Sequence, residues 1–343
     1  MKIVVDNAVP FIEGAFEPYA EVVYMKGSDI CRENVADADA LIIRTRTRCD
    51  GDLLEGSSVK IIASATIGMD HIDEEYCASK GIFVQNAPGC NAGGVMNYVI
   101  SALYGIGARR GLDFSGATFG IVGVGNVGSR VEAAARLLGF NVLLCDPPRA
   151  EREGGAQFCS LDKLLRESDI VSLHLPLDDS TRRIANEEFF AKLKPGVVFM
   201  NCSRGEVVDD EALKRAIPKL GPVVVDTWNN EPDVDRELLD MVDIATPHIA
   251  GYSYQGKQKG TAAAVRAVAR FFDIKELFEF FPAYDVATLS AVHLDVAGKT
   301  QGEIASIIQY NYPIFTDDFL FRTNPSSFEE LRKNYRYRKE FFF

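Results

Sequence analysis

The stretch TFGIVGVGNVGSRVEAAARLLGFNVLLCDP, residues 118–147, decides the fold of this 343-residue chain. An apolar, β-branched run leads into Gly123-x-Gly125-x-x-Gly128, a helix-forming segment follows, and a second apolar run ends at Asp146, eighteen residues beyond Gly128. Strand, glycine turn, helix, strand and acid in this order are typical of a βαβ unit that binds a dinucleotide. The stretch therefore predicts a Rossmann domain.

The glycines and the acid of this motif each have a physical role. Gly123 permits the tight turn, Gly125 lets backbone N–H groups approach a pyrophosphate, and Gly128 allows the helix to pack closely on the strand. The free N–H groups and the dipole of the helix favour an anion at that point. Asp146 would bind the adenine ribose hydroxyls and repel a 2′-phosphate, which predicts NAD as the cofactor. Arg149 could favour NADP instead, but the two prolines before it leave its direction open.

Short β-branched runs alternate with helix-like stretches along most of the chain, which predicts an α/β protein. Five runs before residue 93 and six runs between residues 118 and 248 predict two Rossmann-like, doubly wound parallel sheets. The predicted domains are a flavodoxin-like substrate domain (1–93 and 253–283), an NAD-binding domain (94–252) and a small C-terminal α/β module (284–343). A helix is expected to run from residue 261 to Pro282, and a charged helix to cover residues 328–339.

Composition excludes several classes of function. The net charge of −12 disfavours binding to nucleic acid or to anionic lipid. No apolar run reaches the ~20 residues that span a bilayer, and the N-terminus does not resemble a signal peptide, so a cytoplasmic protein without membrane contact is expected. The seven cysteines are dispersed and form no C-x-x-C pair. We therefore expect neither a disulfide framework nor a metal site.

Polar side chains follow four of the predicted strands at the point where each strand ends: His174, Arg204, Asp226 and His248. Ligands bind outside the carboxyl ends of the strands in such sheets, so these residues are expected to meet at one cleft. The planar guanidinium of Arg204 can hold a carboxylate through two parallel hydrogen bonds.

A loop could bring Glu231, seventeen residues before His248, to one nitrogen of that imidazole. The other nitrogen would then be left to exchange a proton with a hydroxyl group. The remaining histidines outside the strand ends, His71 and His293, are expected to be structural.

Together these motifs resemble the D-2-hydroxyacid dehydrogenase family, and the resemblance covers residues 1 to about 282. The family pattern is represented by GVGNVG (123–128), NCSRGEVVD (201–209), DTWNNEP (226–232) and PHIAG (247–251). The resemblance implies a dehydrogenase that transfers hydride to NAD, with Arg204, Glu231 and His248 as the catalytic residues. The cofactor contacts that the motifs and the resemblance imply are Gly123, Gly125, Asn126, Val127, Gly128, Asp146, Leu175, Asp226 and Gly251.

Narrower features resemble one member of the family that acts on a phosphorylated 2-hydroxy acid. They imply substrate contacts at Thr45, Thr66 and Tyr252, and a homodimer assembled through the C-terminal module. Leu175 departs from the hydroxyl residue usual at its position, which removes one hydrogen bond to the cofactor. The last three residues, 341–343, are phenylalanines, which we expect in a subunit interface or against the core.

The run RTRTR, residues 44–48, follows the apolar strand ALII and offers cations for a phosphate. The run is expected to continue that strand, whose alternation places Arg44, Arg46 and Arg48 on one side and Thr45 and Thr47 on the other, so only one set can face the cleft. Whether these arginines contact a phosphate or form a solvated edge is left open.

Two alternatives remain at this point. The substrate could be another D-2-hydroxy acid, such as 3-phosphoglycerate. The chain could also be an NAD(H)-sensing binding protein of the same fold, which would bind the dinucleotide without turnover.

Overall fold

The computed structural model describes residues 1–283 and 290–343. The chain forms two compact units, one made of Met1–Asn91 with Ser253–Ser290, the other of Ala92–Tyr252 with Ala291–Phe343. The C-terminal residues thus group with the second unit, whereas the three-domain division drawn from the sequence stays a prediction. In the described part of the chain, no helix combines the length and the apolar character needed to cross a membrane.

The strands and helices alternate along the chain as the sequence predicts. The strands are β1 (Lys2–Asp6), β2 (Glu21–Met25), β3 (Ala40–Ile43), β4 (Ile61–Ser64), β5 (Phe83–Gln85), β6 (Thr118–Val122), β7 (Asn141–Cys145), β8 (Ile170–Leu173), β9 (Val198–Asn201), β10 (Val223–Val225), β11 (Ile244–Ala245), β12 (Val292–His293) and β13 (Phe341–Phe342). The described α-helices are α1 (Arg32–Val35), α2 (Gly51–Leu54), α3 (Glu74–Ser79), α4 (Ala92–Arg110), α5 (Asn126–Leu137), α6 (Pro147–Glu153), α7 (Leu161–Glu167), α8 (Glu187–Lys192), α9 (Asp210–Ala216), α10 (Arg236–Met241), α11 (Tyr254–Phe271), α12 (Gln301–Asn311), α13 (Ile314–Thr323) and α14 (Phe328–Lys333).

A five-stranded parallel sheet forms the centre of the first unit, with the flavodoxin-like strand order β2-β1-β3-β4-β5. Both faces of this sheet are buried, which explains why its strands read as continuous apolar runs. Ile3 and Val5 pack on one face with Val265 of α11, while Val4 and Leu41 pack on the other. The predicted fold of this part is confirmed.

A six-stranded parallel sheet forms the centre of the second unit, in the order β11-β10-β9-β8-β6-β7. The chain winds outward from β6 in both directions, first to β7 and then to β8. Such a reversal leaves a crevice at the carboxyl ends of the central strands, where ligands bind in doubly wound sheets. The predicted fold class is therefore confirmed for this sheet as well.

Two helix predictions extend too far. Helix α11 ends at Phe271 rather than near Pro282, because Asp273 adopts a left-handed φ of 55° and the Ile274 N–H donates to the Ala269 carbonyl at 2.8 Å. This pair of features is a helix-ending motif. Helix α14 likewise ends at Lys333 rather than at residue 339. Tertiary contacts of the residues that follow override the helical pattern there.

The prediction that the RTRTR run continues a strand is wrong. Strand β3 ends at Ile43 and the run forms a turn. Thr47 is buried and donates to the Gly27 carbonyl at 2.9 Å, while Arg44 donates to the Ala8 carbonyl at 2.5 Å. These side-chain bonds to backbone hold a turn instead of strand alternation, so the three arginines do not share one side of a strand.

The C-terminal strand β13 pairs with β12 and lies against α4. Asn97 of α4 donates to the Phe341 carbonyl at 2.7 Å and accepts from the Phe341 N–H at 2.9 Å. Phe341 is buried, Phe343 packs against its ring at 5.6 Å between centroids, and Phe342 is 48% exposed. The expectation that the terminal phenylalanines pack against the core therefore holds for Phe341.

Candidate active site

The glycine loop between β6 and α5 is shaped by close backbone contacts. Gly123 has a left-handed φ of 85°, and a Cβ atom there would lie 2.5 Å from the His174 carbonyl oxygen. A Cβ atom on Gly128 would lie 2.0 Å from the Gly123 carbonyl oxygen. At Gly125, by contrast, a Cβ atom would meet no atom within 4 Å. Two glycines are therefore required by packing, and the third opens onto free space.

The beginning of α5 has the uncapped helix N-terminus that the sequence predicts for an anion site. Gly125 precedes the helix and supplies no side-chain cap, and both Gly125 and Asn126 are exposed. The first N–H groups of a helix lack partners within the helix and attract anions. The residues present at this point, including Val127 and Gly128 in the first turn, therefore fit the pyrophosphate of a dinucleotide.

The Asp146 carboxylate is oriented by the glycine loop. One oxygen accepts from the Val124 N–H at 2.7 Å, and the other accepts from the Arg149 N–H at 2.9 Å. The Arg149 guanidinium turns back to the Val124 carbonyl at 2.5 Å and pairs with Glu153 at 2.7 Å. The direction of this arginine, which the sequence leaves open, is thus set by a partner one helical turn away.

His174 ends β8 next to the glycine loop, but its surroundings do not suit proton transfer. Its Nε2 lies 3.0 Å from the Ser172 hydroxyl, and burial of the imidazole lowers the pKa of His174 to about 3. The ring therefore stays neutral near pH 7. Leu175, the next residue, is half-buried and has its side chain near Gly123, where it supplies an apolar wall.

Backbone hydrogen bonds align the carboxyl ends of three neighbouring strands. The Asp226 N–H donates to the Asn201 carbonyl at 3.0 Å, and the His248 N–H donates to the Asp226 carbonyl at 2.8 Å. The loops after β9, β10 and β11 therefore start side by side. They carry Arg204, Glu231 and the imidazole of His248.

Arg204 lies in a stiff turn. The Asn201 carboxamide donates to the Arg204 carbonyl at 2.9 Å and accepts from the Ser203 N–H at 3.1 Å. The guanidinium itself donates to the Ser203 carbonyl at 2.8 Å. A Cβ atom on Gly205 would lie 2.0 Å from the Trp228 carbonyl carbon, so the turn is pressed against the loop that leads to Glu231.

Glu231 and His248 form an ion-pair-like contact. His248 Nδ1 lies 2.8 Å from Glu231 Oε2 and 3.1 Å from Oε1, and Glu231 Oε1 also accepts from the Trp228 N–H at 2.9 Å. Burial alone would raise the pKa of Glu231, but the attraction and hydrogen bond of His248 and the Trp228 N–H lower it. The carboxylate is therefore ionised near neutral pH and fixes the orientation of the imidazole. The two side chains are 31% and 21% exposed, and Nε2 is the ring nitrogen of His248 that Glu231 does not contact.

Asp226 organises the turn that carries His248. Its carboxylate, 1% exposed, accepts from the Thr246 hydroxyl at 2.7 Å, the Ile249 N–H at 2.8 Å and the Ala250 N–H at 3.0 Å. Burial raises the pKa of Asp226 despite these bonds. The structure therefore places this side chain in the framework of the turn, and its contact with a nicotinamide stays a prediction.

The residues predicted to contact substrate lie on both units. Thr45 is exposed in the turn after β3, and the Thr66 hydroxyl lies 2.8 Å from the Ser64 hydroxyl after β4. Tyr252, in the second unit, follows the partly exposed Gly251. Its ring packs edge-on against Tyr335 at 5.8 Å between centroids.

Sequence reasoning missed the C-terminal contribution to this region. The rings of Tyr335 and Tyr337 and the guanidinium of Arg332 surround the Tyr252 ring, and Arg338 donates to the Ala250 carbonyl at 2.7 Å. The dense alternation of basic and aromatic residues in LRKNYRYR, residues 331–338, was the available signal. The prediction of a charged helix over this stretch gives its side chains no role in the site.

Comparison with known proteins identifies relatives along the full length of the chain. A model described as the NAD binding domain of D-isomer specific 2-hydroxyacid dehydrogenases matches residues 104–250. Erythronate-4-phosphate dehydrogenases of Bacteroides fragilis and Bacteroides thetaiotaomicron are 46% and 44% identical to the chain, and each alignment covers 99% of the chain and 97% of the relative. The NAD+-bound 3-phosphoglycerate dehydrogenase of Entamoeba histolytica has a similar structure, with a TM-score of 0.69 and 30% identity over 80% of this chain and 96% of that one.

The glycine loop provides a matched pair of substitutions. Gly128→Ala forces its Cβ against a backbone carbonyl, so we expect the free energy of unfolding in urea to fall by about 1–3 kcal/mol. Gly125→Ala has room for its methyl group and an ordinary φ of −76°, so stability should stay within about 0.5 kcal/mol of the parent. The methyl would nevertheless occupy the approach to the helix N-terminus, and NADH affinity, measured by fluorescence titration, should fall about tenfold or more. Unchanged NADH affinity in Gly125→Ala would remove this loop from the cofactor site.

Proposed function

The chain belongs to the D-isomer specific 2-hydroxyacid dehydrogenase family, and on that premise we propose that it oxidises the C2 hydroxyl of 4-phospho-D-erythronate with NAD as the hydride acceptor. The product is 3-hydroxy-2-oxo-4-phosphooxybutanoate, an intermediate of vitamin B6 biosynthesis. The observation that carries the proposal is the Glu231–His248 pair, 2.8 Å apart, on two loops that start beside the loop of Arg204. The full-length relatives of the same activity support the choice of substrate.

The reaction removes a hydride from C2 and a proton from its hydroxyl. When bound, NAD+ supplies the acceptor for the hydride and its two electrons. Nε2 of His248 takes the hydroxyl proton as the carbonyl forms, and the resulting imidazolium is stabilised by the Glu231 carboxylate on Nδ1. Arg204 holds the substrate carboxylate and polarises the C2 oxygen. Each proposed role uses a group whose side chain is already oriented by hydrogen bonds.

The remaining site residues divide between cofactor and substrate. Gly123, Gly125, Asn126, Val127 and Gly128 hold the pyrophosphate and Asp146 the adenine ribose. The residues proposed near the nicotinamide end are Leu175, Asp226 and Gly251, and those proposed to contact the substrate are Thr45, Thr66 and Tyr252.

The two alternative functions, a different substrate or NAD(H) sensing without turnover, can be distinguished by enzyme assay. The similarity to 3-phosphoglycerate dehydrogenase, 30% identity over part of the chain, supports the family more than that substrate. An NAD(H)-sensing protein would not require the carboxylate–imidazole pair.

We also propose that the protein acts in the cytoplasm.

We propose that two copies of the chain assemble through the C-terminal residues. Large apolar side chains are exposed there, with Tyr310 88%, Phe319 64% and Leu320 46% accessible. Such exposure is costly in water and typical of association surfaces. Phe319 also borders a surface pocket together with Phe315 and Arg109, which offers a recess for a partner side chain.

The substrate assignment is tested by following NADH formation at 340 nm with 4-phospho-D-erythronate, unphosphorylated D-erythronate, 3-phosphoglycerate and D-lactate. We expect kcat/KM for 4-phosphoerythronate to exceed that for each other compound at least a hundredfold. Preferred turnover of 3-phosphoglycerate would contradict the assignment of 4-phosphoerythronate as the substrate. NADH binding without turnover of any compound would favour an NAD(H)-sensing protein.

The proton-transfer role predicts the effect of His248→Asn. Turnover should fall roughly a hundredfold or more because no group replaces Nε2, whereas NADH affinity should stay within about twofold. His293→Asn, a change at an exposed position in β12, is the matched control and should leave both quantities unchanged. Normal turnover by His248→Asn would exclude this imidazole from the mechanism.

The assembly proposal predicts that Phe319→Glu shifts the protein from dimer to monomer in size-exclusion chromatography with light scattering. Leu137→Glu, at a 53% exposed position on α5, is the control and should remain dimeric. A monomeric parent protein, or a dimeric Phe319→Glu variant, would contradict the proposed surface.

A further inference from the structure

The carbonyl side of the turn that carries His248 is held by an arginine 88 residues further along the chain. The Arg338 guanidinium donates to the Ala250 carbonyl at 2.7 Å through Nη2 and to the Ile249 carbonyl at 3.4 Å through Nη1. Its side chain is only 7% exposed. These contacts lie immediately after His248 and before Tyr252.

Arg338 is itself held at both terminal nitrogens of its guanidinium, while its buried Nε has no hydrogen-bond partner among the described residues. Nη1 donates to the hydroxyls of Tyr312 at 2.8 Å and Tyr335 at 2.7 Å, and the guanidinium lies 3.8 Å from the centre of the Tyr312 ring. Both hydroxyls donate to the Asp317 carboxylate, at 2.9 and 2.8 Å, and that carboxylate lies 4.0 Å from Arg338. A buried charge with this set of partners has a single favoured position.

The N–H groups of the same two residues are held by Asp226, which accepts from Ile249 and Ala250. The Asp226 carboxylate therefore binds the N–H groups of the turn, and the Arg338 guanidinium binds its carbonyl oxygens. The turn needs both, because His248 has a left-handed φ of 54°, a conformation that a non-glycine residue keeps only when its surroundings impose it.

We propose that Arg338 is a positioning residue of the reaction: by fixing the carbonyls after His248, it keeps the imidazole aimed at the substrate hydroxyl. The C-terminal residues are then part of the catalytic apparatus as well as of the assembly surface. The proposal rests on the proposed function, in which His248 transfers the proton.

The test compares Arg338→Lys and Arg338→Met with Arg336→Lys, a change at an exposed arginine two residues earlier. A lysine keeps the charge but cannot bind both carbonyls and both phenols at once. We expect kcat of Arg338→Lys to fall about tenfold or more and that of Arg338→Met further, because small misplacements of a reacting group have large effects. KM and NADH affinity should change less than about threefold, and Arg336→Lys should match the parent protein.

A second measurement does not depend on turnover. The Cε1–H signal of His248 in NMR spectra, assigned by its loss in His248→Asn, should shift and broaden in Arg338→Lys and remain in place in Arg336→Lys. Tyr335→Phe removes one support of Arg338 and is the milder variant if Arg338→Met does not fold; its His248 signal should move in the same direction. A parent protein that turns over no 2-hydroxy acid would refute the proposed function, whereas folded Arg338 variants with normal kcat and an unmoved His248 signal would refute the positioning role.

Discussion

The site depends on the hydrogen bonds that the buried carboxylate of Asp226 accepts. An isolated carboxylate away from water would be strongly unfavourable, and its burial is tolerated because three donors converge on it. Those donors are the Thr246 hydroxyl and the two N–H groups that follow His248, so satisfying the carboxylate also determines the path of the chain. The hydroxyl of Tyr98, buried in α4, lies 2.6 Å from that of Thr246 and extends the network into the core.

The two histidines at strand ends show how surroundings divide chemical roles between identical side chains. His174 is enclosed, bonded to a neutral hydroxyl, and held uncharged by its lowered pKa. His248 is partly accessible and faces an ionised carboxylate. Only the second environment offers a carboxylate to the imidazole, as the proposed proton transfer by His248 requires.

Much of this arrangement could be predicted from the sequence because it is encoded locally. The requirement for glycine at 128 follows from one βαβ unit, because a Cβ atom there would meet the Gly123 carbonyl. The strand runs fix which polar residues end at one edge of the sheet. The pairing of Glu231 with His248 joins the loops that follow two neighbouring strands, β10 and β11. Contacts between distant segments could not be predicted in this way. The RTRTR turn is held by Gly27 and Ala8, and Arg338, beyond the end of α14, is held by Ala250 and Tyr312. Local periodicity contains no information about such partners.

The pairing of Arg149 with Glu153 bears on attempts to redesign coenzyme preference. Exchanging Asp146 for an apolar residue would remove the negative charge that we propose faces the ribose, but it would also remove the acceptor for the Val124 and Arg149 N–H groups and loosen the glycine loop. The Arg149 guanidinium would still be paired with Glu153 and hydrogen-bonded to the Val124 carbonyl. A switch to a phosphorylated dinucleotide therefore requires at least two coordinated substitutions, one that replaces the loop support of Asp146 and one that releases Arg149.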